Sequence, residues 1–129
     1  MLNVVAWCRL VDVGVRAGDE ADTCSAEALW LDPGDPGVLG TRGSIVVEHG
    51  DLEQGLELLR RSLDLQARTS DRALTTCYLA IGEAASGRHD EAEVALATAE
   101  RIDPDCYLLD RARARVHAPG RDTDPGLIQ

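Results

Sequence analysis

The feature that most constrains the fold is a set of spaced residues that recurs along the chain. A glycine, a small residue and a leucine return at a constant distance of 37 residues. They are Gly50, Gly55 and Leu59 in one copy and Gly87, Ala92 and Leu96 in the next. Recurrence at this distance predicts stacked copies of one supersecondary unit. If such a unit contains two packed helices, small residues let them approach closely, and a glycine suits the turn between them because it tolerates a positive φ.

An earlier copy precedes these two at a slightly shorter distance. Ala21 lies 34 residues before Gly55, and Ala28 lies 34 residues before Ser62. The three additional residues of the longer interval belong to the segment around residues 66–70, where an insertion into a loop costs little. The sequence therefore contains three related units.

The last unit, residues 73–105 (ALTTCYLAIGEAASGRHDEAEVALATAERIDPD), resembles a tetratricopeptide repeat (TPR), a pair of antiparallel helices of about 34 residues. Six positions fall in the register of that family, counted from Ala73. They are Ala80 at position 8, Gly87 at 15, Ala92 at 20, Leu96 at 24, Ala99 at 27 and Pro104 at 32. The sequence departs from the family at positions 4 and 11, where Thr76 and Glu83 replace aromatic residues.

This resemblance implies an all-α, right-handed solenoid of about three TPR-like hairpins with a C-terminal capping helix. We predict one domain over residues 1–118, because 129 residues suit a single domain. The hairpins are expected at about 2–35, 36–72 and 73–104, and the capping helix at 105–117. Residues 119–129, rich in Gly, Pro and Asp, are expected to form a disordered tail.

The second hairpin combines a leucine face with glycines inside its helices. The leucines recur with helical spacing at positions 52, 56, 59 and 63. Gly40, Gly43 and Gly55 each cost helix stability, about 1 kcal/mol relative to alanine. We expect these glycines where helices cross closely, and we expect this hairpin to be the least stable.

The charge of the chain argues against several classes of partner. Its net charge is −10 and its pI is about 4.6, so neither nucleic acid nor an anionic membrane surface attracts it. A basic protein or peptide partner is compatible with this charge. No apolar run suggests insertion into a membrane, and no signal peptide is recognisable at the N-terminus. We expect a protein of the bacterial cytoplasm.

The cysteines and histidines are scattered, without the tight spacing of a metal site. They are Cys8, Cys24, Cys77 and Cys106, and His49, His89 and His117. We therefore expect no metal and no cofactor, and buried free thiols in a reducing compartment. Glu48-His49, the run His89–Glu91 and Cys77 contain catalytic residue types, but no catalytic motif surrounds them. A non-catalytic protein is expected.

The N-terminal segment carries more apolar side chains than one following helix can cover. They are Leu2, Val4, Val5, Trp7, Leu10 and Val11. Three explanations remain open: a homodimer through the N-terminal helix, burial against a partner, or a chain excised from a longer protein. An uncovered apolar strip of this size would favour aggregation.

The family resemblance implies that the first helices of the hairpins line a concave groove. The inward positions are Asn3, Val4, Trp7, Thr41, Ser44, Val47, Cys77, Tyr78 and Ile81. Such an apolar floor suits an extended or helical peptide. Trp7 and Tyr78 are the expected hot spots, unless they are core or dimer-interface residues. No Lys or Arg lies at these positions, which argues against the carboxylate clamp of chaperone-binding family members.

Arg42 lies where the family places a leucine between the helices. A charge there needs a partner, and Glu57 or Asp64 on the paired helix are candidates for an ion pair. The alternative is an anion hook in the groove.

The predicted function is a protein–protein interaction module, an adaptor or scaffold that binds a peptide or helix. One alternative is a regulatory domain of, or acting on, a larger protein. The segments GTRGSIVVEHGDLEQGLELL and DPDCYLLDRA loosely resemble the repeat-bearing cytosolic tails of some bacterial membrane proteases. A second alternative is an accessory, enzyme-like protein in small-molecule metabolism.

Overall fold

The computed structural model describes Trp7, residues 18–65 and residues 69–118, and within these ranges it contains helices and no strand. The helices are α1 (Gly18–Leu31), α2 (Pro36–Glu48), α3 (Leu52–Leu65), α4 (Thr69–Ala85), α5 (His89–Ile102) and α6 (Leu109–Val116). The prediction of an all-α chain is confirmed for this part of the sequence. The predicted tail at 119–129 lies outside the described residues.

The helices pack mainly as two hairpins, α2 with α3 and α4 with α5. Further contacts join α3 to α4, α2 to α4, α4 to α6 and α5 to α6. Among the described helices, α1 packs against α2 alone. The contacts therefore link elements that are close in sequence, and α4 lies at the centre of the arrangement.

The start of α2 follows from the turn cluster at residues 32–37. The Oδ1 atom of Asp35 accepts hydrogen bonds from the backbone N–H of Gly37 at 2.7 Å and of Val38 at 3.1 Å. Pro36 occupies the first helical position, where its missing N–H and fixed φ are favourable. Asp35 is thus the N-cap of the helix.

The two hairpin turns have the same backbone geometry. Gly50 has a φ of 94° and Gly87 a φ of 85°. In each turn the glycine N–H bonds to the carbonyl three residues earlier, and the next N–H bonds to the carbonyl five residues earlier. This pair of bonds defines a Schellman motif. The predicted role of Gly87 as the turn residue is confirmed, and Gly50 repeats it 37 residues earlier.

Gly87→Ala should lower the free energy of unfolding by about 1–2 kcal/mol, because an L-residue pays that cost in the left-handed region. A Cβ atom at Gly87 would meet no atom within 4 Å, so the effect isolates backbone strain. Urea denaturation measures it. Gly34→Ala is the matched control, because that glycine is equally open and lacks a positive φ. Equal denaturation midpoints for the two variants would contradict the prediction.

The α2–α3 crossing depends on two facing glycines. A Cβ atom on Gly43 would lie 2.9 Å from Leu59 Cγ, and one on Gly55 would lie 2.6 Å from Val47 Cγ2. The expectation that these glycines lie where helices cross is confirmed. Gly40 on the same helix is also buried.

Glu83 of α4 is a buried carboxylate with two arginine partners. Arg60 of α3 donates to its Oε2 at 2.7 Å, and Arg88 donates to its Oε1 at 2.5 Å. The side chain of Glu83 is only 7% exposed, so these contacts supply the pairing that a buried charge requires. The pair of bonds joins α3 to the α4–α5 turn.

Candidate interaction surface

A partly buried polar network centres on Tyr78 of α4. Its hydroxyl donates to Oε2 of Glu48 at 3.0 Å and accepts from Nη1 of Arg111 at 2.9 Å. Nη1 of Arg115 lies 3.1 Å from both carboxylate oxygens of Glu48. The network therefore joins the end of α2 and the middle of α4 to the C-terminal helix α6.

The environment keeps the Tyr78 phenol protonated. Burial raises its pKa well above the ordinary value, and the neighbouring Glu48 carboxylate raises it further. Arg111 opposes this shift, with a smaller effect than burial. A neutral phenol at physiological pH is the form that can donate to Glu48.

Trp7 is seated against this network. Its Nε1–H donates to the hydroxyl of Tyr107 at 2.9 Å, and its ring meets the ring of Tyr78 edge-to-face, with centroids 6.2 Å apart. Tyr107 lies in the connection between α5 and α6 and is 60% exposed. The indole N–H therefore has a hydrogen-bond acceptor, and the indole ring has an aromatic neighbour. We call Tyr78 and Tyr107 the aromatic surface.

This position of Trp7 could not be anticipated from the repeat register. The register assigns Trp7 to the first helix of the first hairpin, whereas its contacts are with the third hairpin and the residues after it. Trp7 itself therefore lies beside α4 and the α5–α6 connection. Asn3 and Val4, predicted beside Trp7 in the groove, lie outside the described residues.

The other residues predicted to line the groove are buried in the structure. They are Thr41, Ser44 and Val47 on α2, and Cys77, Tyr78 and Ile81 on α4. The Ser44 hydroxyl, for example, donates to the carbonyl of Gly40 within its own helix. These six side chains are therefore core residues. For Tyr78, a place in the core was one of the alternatives that the sequence left open. Their part in binding a partner stays a prediction.

Arg42 pairs within the chain, with a different partner from those considered. Its Nη1 donates to Oδ1 of Asp22 at 2.6 Å and to the Ser25 hydroxyl at 3.0 Å. Both partners are on α1, whereas Glu57 and Asp64 are on α3. The reason is that Arg42 lies on the side of α2 that packs against the preceding helix. An intramolecular ion pair is the observed state.

Arg111 and Arg115 of α6 were not among the site residues predicted from the sequence. Both reach back to Tyr78 and Glu48. Their spacing of four residues places them on one face of α6, and this was the available signal. Two guanidinium groups therefore border the aromatic surface, although none was expected in the groove.

Two of the cysteines are neighbours. The sulfur atoms of Cys77 and Cys106 lie 3.9 Å apart in the core, and Cys24, Cys77 and Cys106 are free thiols. Burial raises the pKa of the Cys77 thiol, and Cys106 adds to the shift. This direction is opposite to the lowered pKa that is typical of an activated cysteine nucleophile.

The described ranges contain no group of three His, Cys, Asp or Glu side chains that could hold a metal ion. None of the helices in those ranges is both long and apolar enough to cross a bilayer.

Compared with models of known families, with characterised proteins and with solved structures, the chain shows no significant match.

Proposed function

We propose that the chain is a right-handed solenoid of TPR-like hairpins with a capping helix, and that it acts as a protein–protein interaction module. Two observations support this arrangement. The helices pack against neighbours in sequence, as in repeat proteins, and the Schellman turns at Gly50 and Gly87 recur at the repeat distance. Stacked helical hairpins present extended surfaces to partners, which favours recognition over catalysis.

The observation that carries the functional proposal is the seating of Trp7 on the aromatic surface. Tryptophan and tyrosine dominate binding energy where one end of the ring is packed and the polar atom is satisfied. Tyr78 supplies the ring contact and Tyr107 supplies the hydrogen-bond acceptor. The same pair of groups would hold an aromatic side chain of a partner peptide. In the protein without a partner, Trp7 of the same chain occupies this surface.

Such an occupant lowers the apparent affinity for any partner that uses the same place. An attached segment acts at a high effective concentration, so a partner must displace it. The partner class that fits is a protein segment that presents a tryptophan or tyrosine to Tyr78 and Tyr107. The homodimer expected from the N-terminal helix stays a prediction.

The test uses full-length Trp7→Ala and a synthetic peptide with the sequence of residues 1–17. Calorimetric titration should show the peptide binding the variant at least about tenfold more tightly than the wild type, whose own Trp7 occupies the surface. A peptide with alanine in place of its tryptophan is the matched ligand control and should not bind. Full-length Trp30→Ala, which changes a tryptophan 83% exposed on α1, is the control protein and should behave as the wild type.

Two results would count against the proposal. One is the absence of binding to a Trp7→Ala chain whose circular dichroism spectrum is that of the folded protein. The other is equal binding of the two peptides, since the indole would then contribute nothing.

A further inference from the structure

A second surface lies on a different face of α4 from the one that carries Tyr78. It is a groove of about 470 Å³ between α3, α4 and α5. Its apolar lining includes Leu63 of α3, Leu79 of α4, and Val94 and Ile102 of α5. We call this the outer groove, and it shares no lining residue with the aromatic surface.

The apolar lining of the outer groove is accessible. Val94 is 67% exposed although it is a large aliphatic residue in the middle of α5. Leu63, Leu79 and Ile102 are each only partly buried around it. A contiguous apolar strip with polar residues at its edges is typical of a recognition surface.

The shape of the outer groove favours a helix over a small molecule. Glu91, Ala95, Thr98 and Ile102 line it at helical spacing, so the groove follows α5 for about 16 Å. That length matches about three turns of a helix. Small-molecule sites bury most of their ligand, about 70–90% of its surface, whereas Val94, near the middle of this groove, is itself 67% exposed. An amphipathic helix needs only one face covered.

The charges at the ends of the outer groove specify the chemistry of that helix. Asp90 and Glu91, both exposed, lie at the start of α5. At the other end Arg72 donates to the carbonyl of Leu63 at 2.7 Å and so joins α4 to α3. Arg88, which precedes the acidic end and also interacts with Glu91, is paired with Glu83. The carboxylates of Asp90 and Glu91 are exposed and can face a basic side chain, and the net charge of −10 favours encounter with a basic partner.

We propose that the outer groove binds a short, basic amphipathic helix of a partner protein. Its apolar face packs on Leu63, Leu79 and Val94, and a Lys or Arg side chain pairs with Asp90 and Glu91. This site shares no lining residue with the surface that Trp7 occupies, so each of the two proposals can be tested without the other.

The probe is a helical Leu/Lys peptide of about twelve residues, with leucines on one face, and a Leu/Glu peptide of the same pattern is its control. The host is the full chain with uniform ¹⁵N labelling. We expect the Leu/Lys peptide to bind with amide shifts centred on residues 90–102 and 72–79, and the Leu/Glu peptide to bind at least about tenfold more weakly.

The matched protein variants are Val94→Lys in the groove and Ala97→Lys at an exposed position of α5 that does not line the groove. Both add one positive charge at an exposed position of the same helix. Val94→Lys should weaken binding of the Leu/Lys peptide at least about tenfold, while Ala97→Lys should change it less than about twofold.

Three binding results would overturn the proposal. They are no binding of the Leu/Lys peptide, equal loss in the two lysine variants, and equal binding of the two peptides. A concentration-dependent dimer that Val94→Lys alone dissociates would assign the groove to a second copy instead, and would overturn it as well. None of these outcomes depends on Trp7.

Discussion

Leu59→Ala is expected to lower the free energy of unfolding by about 2–5 kcal/mol, the range for deleting a fully buried leucine side chain. Leu59 has no exposed surface, and it packs at the α2–α3 crossing, where its Cγ atom would lie only 2.9 Å from a Cβ on Gly43. Because the crossing is held by backbone contacts, the helices cannot close the cavity fully. Urea denaturation followed by circular dichroism measures the loss.

Leu65→Ala is the matched control for Leu59→Ala, because Leu65 lies on the same helix and is 53% exposed. Its replacement should change stability by no more than about 0.5 kcal/mol. Similar losses for the two variants would show that Leu59 is not packed as described.

Gly55→Ala is expected to destabilise the protein by about 1–3 kcal/mol, although alanine is the better helix former by about 1 kcal/mol. The added Cβ would lie 2.6 Å from Val47 Cγ2 and 3.0 Å from two backbone atoms, Gly43 O and Val47 N. The backbone atoms cannot rotate away, so α2 and α3 must separate. The denaturation midpoint of the variant measures the net effect.

Val47→Ala combined with Gly55→Ala isolates the steric part of this effect. Removing the Val47 methyl groups relieves the closest contact, so the double variant should lose less stability than the sum of the single ones. The steric explanation fails if Gly55→Ala proves more stable than the wild type, as an ordinary exposed helix position would.

The features of the fold that were predictable are those that depend on local sequence. The turn at Gly87 follows from the need for a positive φ, and the small residues Gly43 and Gly55 mark a close crossing because a side chain would collide there. The end of α5 at Ile102 follows from Asp103-Pro104, since the residue before a proline avoids the helical conformation.

The features that were not predictable depend on how distant elements are oriented. The repeat register places Tyr78 on a groove floor, but its side chain is fully buried, and its hydroxyl bonds to Glu48 and Arg111, which lie 30 and 33 residues away. Likewise, Arg42 pairs with Asp22 of α1 because its side of α2 packs against α1. The presence of a charged residue in the sequence does not reveal which neighbouring helix supplies its partner.

The different environments of the two tryptophans give the chain a built-in optical signal. Trp7 is half-buried against Tyr78, whereas Trp30 is 83% exposed. An indole in contact with water emits at longer wavelength than a shielded one, so the emission of the native protein is the sum of two distinguishable components. A water-soluble quencher such as acrylamide would suppress the Trp30 component first. A partner that displaces Trp7 into water would shift the emission of Trp7 to longer wavelength. Binding of the partner could then be followed by intrinsic fluorescence, without an attached dye.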